Sequence, residues 1–205
     1  MLTGGIATGK SYALDHFATL GAPTLDADHL AHAAVAPGGA AWQSVRDRFG
    51  AAVFDEHGVL DRQKLGALVF ADAPSLAALN AIVHPHVRAT ITAWFAELEA
   101  SPGPRLGIVA IPLFFESTRP ESFDRVIVTA CRDDTQLARV MARGFTEDAA
   151  RQRIAAQLPT REKVRRGDFT IWTDGTHADT DQQVGALYGV LSAETLPDRV
   201  PETGD

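Results

Sequence analysis

Gly4, Gly9, Lys10 and Ser11 stand at the spacing Gly-x-x-x-x-Gly-Lys-Ser, a phosphate-binding pattern. The chemistry is local. Glycines let backbone N–H groups curl around phosphate oxygens with no Cβ in the way, and the helix that follows turns its positive N-terminal end to the same anion. In such a loop Lys10 reaches the β- and γ-phosphates of ATP, and the Ser11 hydroxyl holds Mg²⁺. The reading that competes with this is a glycine-rich turn before an ordinary helix.

Two carboxylates come next. Asp26 and Asp28 lie two apart in Ala22-Pro-Thr-Leu-Asp-Ala-Asp28 and, in an extended segment, share one side. At the C-terminal end of a parallel strand beside the phosphate loop, a carboxylate could orient or deprotonate an acceptor hydroxyl, or brace Mg²⁺ through water. Asp28 could equally cap the helix expected over 29–35, or do both. His84 and Arg88 are candidates to contact a substrate phosphate, against a buried or capping role for His84. Further on, residues 132–166 carry nine Arg or Lys against five acids, a net of +4 inside a chain of net charge −7. Arg139 and Arg143 are expected on one helix face, before a break at Gly144-Phe-Thr146 and a second helix to Leu158. A basic helical hairpin of this kind suits a lid over ATP, although a solvated amphipathic hairpin has the same pattern.

These residues need a scaffold. Helical spacing of Ala13, Leu14, Phe17 and Ala18, ended by Gly21, gives the helix after the loop. Pro23 starts a short strand. Residues 29–100 read as consecutive helices without a strand, including one capped by Asp61, one ending at His84-Pro85 and another from His86 to about Ala100. That is too long for one crossover, so it reads as a helical substrate-binding insertion. After a linker at 101–104, Leu106–Ile111 and Phe123–Ala130 read as buried parallel strands, and 167–172 as a last one. Ala110 occupies the strand end where many phosphate-loop enzymes carry an acid, and Glu116 is either its substitute or a surface carboxylate. A final helix over about 179–191 turns Val184, Leu187, Val190 and Leu191 inward. Residues 195–205 read as a disordered tail. Only Met1 and Leu2 precede Thr3, so the first strand is either very short or begins upstream.

The chain has 205 residues, 45% hydrophobic and 22% charged, enough for one sizeable core. Its acidic balance makes it a poor binder of nucleic acid backbone. The single Cys131 excludes an intramolecular disulfide and fits a reducing compartment. No apolar run reaches the ~18 residues of a membrane span, and no signal-peptide pattern is present. The expectation is a cytoplasmic protein without membrane contact, a monomer or at most a weak oligomer.

Several motifs in order carry a family likeness: Leu2-Thr-Gly-Gly-Ile-Ala-Thr-Gly-Lys-Ser11, Asp26-Ala-Asp28, Leu60-Asp-Arg62, His84-Pro85, Ile111-Pro-Leu-Phe-Phe-Glu116, Gln136 with Arg139 and Arg143, Arg153-Ile154 with Gln157, and Gly167-Asp168-Phe169. Along nearly its whole length the chain resembles the dephospho-CoA kinases. The resemblance implies an α/β phosphate-loop NTPase-type three-layer fold with a five-stranded parallel sheet. Residues 1–28, 101–131 and 167–194 would form the nucleotide core, 29–100 the helical CoA-binding part and 132–166 the lid. It implies ATP and dephospho-CoA as partners, with the γ-phosphoryl moved to the ribose 3′-hydroxyl to give CoA and ADP. The acceptor-orienting residue falls on Asp28, the lid arginine on Arg143, and the nucleotide loop on Ala7, Thr8, Gly9, Lys10, Ser11 and Tyr12. Three places depart from the family pattern. Tyr12 replaces Ser or Thr, Ala110 replaces an acid found in many members, and Thr173-Asp174 replaces an Asn-containing turn near the adenine. The rivals are another small-molecule or nucleotide kinase, and a non-catalytic ATP-binding module. The lack of an Asn-Lys-x-Asp motif argues against a guanine-specific switch.

Overall fold

The structure, a computed structural model, describes residues 1–102, 106–116 and 123–194. The tail expected over 195–205 and part of the linker over 101–104 lie outside them. Five strands form one parallel sheet: β1 (Leu2–Gly4), β2 (Thr24–Asp26), β3 (Ile108–Ala110), β4 (Ile127–Ala130) and β5 (Phe169–Trp172). Their order is β2-β3-β1-β4-β5, which puts the shortest-flanked strand, β1, in the centre. Its three residues suffice because both neighbours complete its ladder: Leu2 pairs with Ala110 on one side and Ile127 on the other.

Alternation along the strands builds two faces. Leu2, Ile108, Ile127 and Ile171 point to one side and pack on α1 (Lys10–Thr19) and α9 (His177–Ala193), through Ala13, Phe17, Val184 and Leu187. Met1 and Val109 point to the other and meet Ala27 of α2 (Ala27–Ala34) and Ile91 of α5 (Ala73–Ala100). Helix, sheet and helix thus make three layers. A second core lies among α2, α3 (Trp42–Phe49), α4 (Arg62–Ala71) and α5, centred on Val45, Phe54, Leu65 and Val83.

Several local expectations change. Pro85 does not divide the helix: α5 runs unbroken for 28 residues. Val83, Val87, Ile91 and Phe95 recur every fourth residue across it and pack into both cores. That burial outweighs the ~3 kcal/mol an internal proline costs. Segment 132–166 holds three helices rather than a hairpin: α6 (Asp133–Met141), α7 (Glu147–Ala155) and α8 (Thr160–Arg166). Val190 is 51% exposed, so α9 turns only Val184, Leu187 and Leu191 inward. Glu116 is no surface carboxylate. Its Oε1 accepts from the Leu158 N–H at 2.9 Å and lies 2.7 Å from Nζ of the fully buried Lys163 in α8.

Candidate active site

Residues 5–9 link β1 to α1 at the C-terminal edge of the sheet, where ligands bind in open α/β folds. The loop is held from below. Thr8 Oγ1 lies 2.9 Å from Thr129 Oγ1 and donates to the Gly5 carbonyl at 2.8 Å. Gly4 is required because a Cβ there would meet Thr129 Oγ1 at 2.1 Å. Gly9, with φ +86°, turns the chain into α1, whose first turn has no side-chain cap and no acidic residue. The free N–H groups and the helix dipole are therefore left for an anion. Ser11 stands exposed in that turn, its hydroxyl unengaged among the described residues.

Lys10 Nζ lies 3.7 Å from Asp26 Oδ2, with both side chains largely sheltered. Asp26 ends β2 and also caps α2: its Oδ1 accepts from the Asp28 N–H at 2.8 Å. The two aspartates therefore do not share one side of a strand. Strand β2 stops at Asp26, and Asp28 sits exposed in the first turn of α2 rather than capping it. A short polar side chain at the strand end captures the helix N-terminus, which pulls the start of α2 forward to Ala27. Across the register from Asp26 is Ala110, buried and apolar, so the carboxylate at this edge comes from β2 rather than β3.

In the last turn of α2, the exposed His32 is held below its ordinary pKa by partial desolvation and by the charge of Arg62. On α5, partial desolvation and the neighbouring Arg88 depress His84 in the same way, while the residue stays exposed rather than buried or capping. From the other side comes segment 132–166. Arg139 donates to the Ala7 carbonyl at 3.5 Å, to Thr173 Oγ1 at 2.9 Å and to the Thr173 carbonyl. Arg143 lies past the end of α6, exposed and unpaired among the described residues, not on a helix face with Arg139. The structure thus brings together Lys10, Ser11 and Asp26, with Asp28 two residues on. His84 and Arg88 stand on a separate helix.

The family model for dephospho-CoA kinase matches residues 1–179. The chain belongs to the dephospho-CoA kinase family. It is 44% identical over 187 residues to the dephospho-CoA kinase of Geobacillus kaustophilus, a match covering 91% of this chain and 92% of that one. Among solved structures, TT1252 from Thermus thermophilus is similar with TM-score 0.77 and 31% identity, over 95% of this chain and 96% of that one. The dephospho-CoA kinase from Campylobacter jejuni matches with TM-score 0.69 and 28% identity, over 93% and 95%. No helix among the described residues is long and apolar enough to cross a membrane.

Against the dephospho-CoA kinase pattern, the departures have visible consequences. Tyr12 points off the loop: its hydroxyl donates to Asp181 Oδ1 at 2.7 Å and its ring stacks on His177 at 4.4 Å. Thr173 is buried, and its hydroxyl donates to the Thr8 carbonyl at 3.1 Å, so it braces the phosphate loop. Asp174 accepts from the Arg132 N–H at 3.0 Å. Sequence reasoning weighed Asp26 without pairing it to Lys10. It also gave no role to Gln136 and Gln157, which both touch the loop backbone. Only their place in the family motif could have flagged them.

Proposed function

We propose that the chain transfers the γ-phosphoryl of ATP in line to the ribose 3′-hydroxyl of dephospho-CoA, giving CoA and ADP. The observation that carries this reading is the uncapped N-terminus of α1, with Lys10 at its first position, in a chain of this family. Backbone N–H groups over Ala7–Tyr12 cradle the phosphates. Lys10 and Arg143 offset the charge that develops on the transferring group, and Asp28 aligns the acceptor hydroxyl. His84 and Arg88 hold anionic parts of the acceptor. Little covalent chemistry is asked of the protein, so positioning and electrostatics carry the rate.

A kinase of this kind works with a divalent cation, and we infer Mg²⁺. The donor set fits it: the unengaged Ser11 hydroxyl and the Asp26 carboxylate are hard oxygens on one edge. They would hold the ion directly or through water, and when bound it neutralises β- and γ-phosphate charge. We divide the chain into a nucleotide core (1–28, 101–131, 167–194), a CoA-binding part (29–100) and a lid (132–166). Cys131, a buried free thiol, suits a reducing cytoplasm, and we read the working form as a monomer.

An acceptor panel tests the reading. Offered dephospho-CoA, nucleoside monophosphates and shikimate with Mg-ATP, the protein should phosphorylate dephospho-CoA alone. Turnover of another acceptor with dephospho-CoA untouched would overturn it.

A further inference from the structure

The phosphate loop is gripped from above as well as below. Gln157 Oε1 accepts from the Ile6 N–H at 2.8 Å, and Gln136 Nε2 donates to the Ile6 carbonyl at 2.8 Å. Two glutamines from separate stretches of the lid thus engage both backbone groups of one loop residue. Gln136 is only 3% exposed and is steadied in turn by the Thr160 hydroxyl at 3.5 Å from its Oε1. The next residue, Ala7, has φ +60°, the only positive φ at a non-glycine among the described residues. For an L-residue that conformation costs roughly 1–2 kcal/mol, and it persists only where its surroundings over-determine it. Those surroundings are Gln136, Arg139 and Gln157, with Val140 and Ala150 packed on Ala7.

We propose that Gln136 and Gln157 are positioning residues that clasp the Ile6–Ala7 turn in its phosphate-accepting shape, so that the base of the lid and the phosphate loop act as one body. The clasp also commits the Ile6 N–H to a side chain, leaving the N–H groups nearer α1 to face the phosphates. Loss of either amide lets Ala7 relax towards an ordinary φ and misaims the loop. The acceptor site, built on α2 and α5, is untouched by this.

This inference rests on the loop holding ATP, and the test separates the two. Steady-state kinetics and calorimetric ATP titration are run on wild type, Gln136→Leu, Gln157→Leu, Gln136→Glu and Gln157→Glu. Each Leu variant leaves a backbone group unpaired and should raise KM and Kd for ATP about tenfold. KM for dephospho-CoA should stay within about twofold. The Glu pair adds the same charge at the same loop residue, but their hydrogen bonding differs. Glu at 157 still accepts from the Ile6 N–H, whereas Glu at 136 cannot donate to a carbonyl. Gln157→Glu should therefore bind ATP at least about threefold tighter than Gln136→Glu, a contrast that mere loss of packing would not give. Equal ATP affinities in the Glu pair, or a parallel rise in KM for both substrates, would overturn the clasp. The Glu pair carries the test if the Leu variants fail to fold. Wild type that binds ATP without phosphorylating dephospho-CoA would sink the functional reading alone, since the titrations still judge the clasp.

Discussion

Lys10 Nζ and Asp26 Oδ2 stand 3.7 Å apart at the edge of the sheet, one from the first turn of α1 and the other from the last residue of β2. The pair holds the Lys10 ammonium against the C-terminal end of β2. It also ties the loop to the N-terminus of α2, because the same carboxylate caps that helix. One side chain therefore joins the nucleotide side of the site to the helix that carries Asp28.

Lys10→Ala should lower kcat about a hundredfold or more, since it removes a charge that matters most as the phosphoryl group moves. KM for dephospho-CoA should change little. Unchanged turnover, measured by ADP release, would remove Lys10 from the mechanism.

Asp28→Asn should leave ATP binding near wild type, because Asp28 lies outside the loop, while slowing transfer by about a hundredfold. Calorimetry and single-turnover kinetics on the same preparation separate the two effects. Transfer at the wild-type rate would count against Asp28 as the group that aligns the acceptor.

Asp26 can be dissected by its two jobs. Asp26→Ala loses both the cap and the ion pair and should cost about 1 kcal/mol of stability, whereas Asp26→Asn keeps a good capping side chain and should cost less than half of that. Urea unfolding reads the difference. Equal losses would mean that the cap contributes nothing.

How far these residues could be read in advance follows from how local their physics is. The loop and the first helix were legible because glycine spacing, a lysine and an apolar period are short-range signals. The place of Asp28 was not. Whether an Asp-Ala-Asp run stays extended or turns into a helix depends on which aspartate captures the free N–H groups, and Asp26 does. Pro85 misled for the opposite reason: a strong local breaker was overridden by two cores meeting on one helix. Glu116 and Lys163, 47 positions apart in sequence, give no pattern at all until the chain is folded.

That buried pair makes its own prediction. Lys163 is fully buried with Glu116 at 2.7 Å, so Glu116→Gln strands a buried ammonium and should cost about 3 kcal/mol. Adding Lys163→Met should recover most of it. A double variant as unstable as the single one, by denaturant midpoint, would show that the pair's charge is not what matters.

Acid should weaken the fold at its helix starts. Asp61, Asp72 and Asp179 are held below the ordinary 3.8, chiefly by the N–H of Lys64 for Asp61, by Ser75 for Asp72 and by Thr176 for Asp179. Native pKa values below the unfolded one mean that these caps stabilise fully above pH ~4 and are lost as pH falls through the native values. The contribution of these three caps to the urea midpoint should therefore be flat from pH 7 to 5 and fall below 4. A triple Asp→Asn variant at the three caps should flatten that fall; an identical fall in the variant would place the acid sensitivity elsewhere.

The most direct test of the whole account is mass spectrometry of the products formed from Mg-ATP and dephospho-CoA, with chromatography beside authentic CoA. The account requires a product heavier than dephospho-CoA by one phosphoryl group that co-elutes with CoA, which fixes both the reaction and the 3′ position. Dephospho-CoA recovered unchanged while ATP is bound, or a phosphorylated product that separates from CoA, would contradict it.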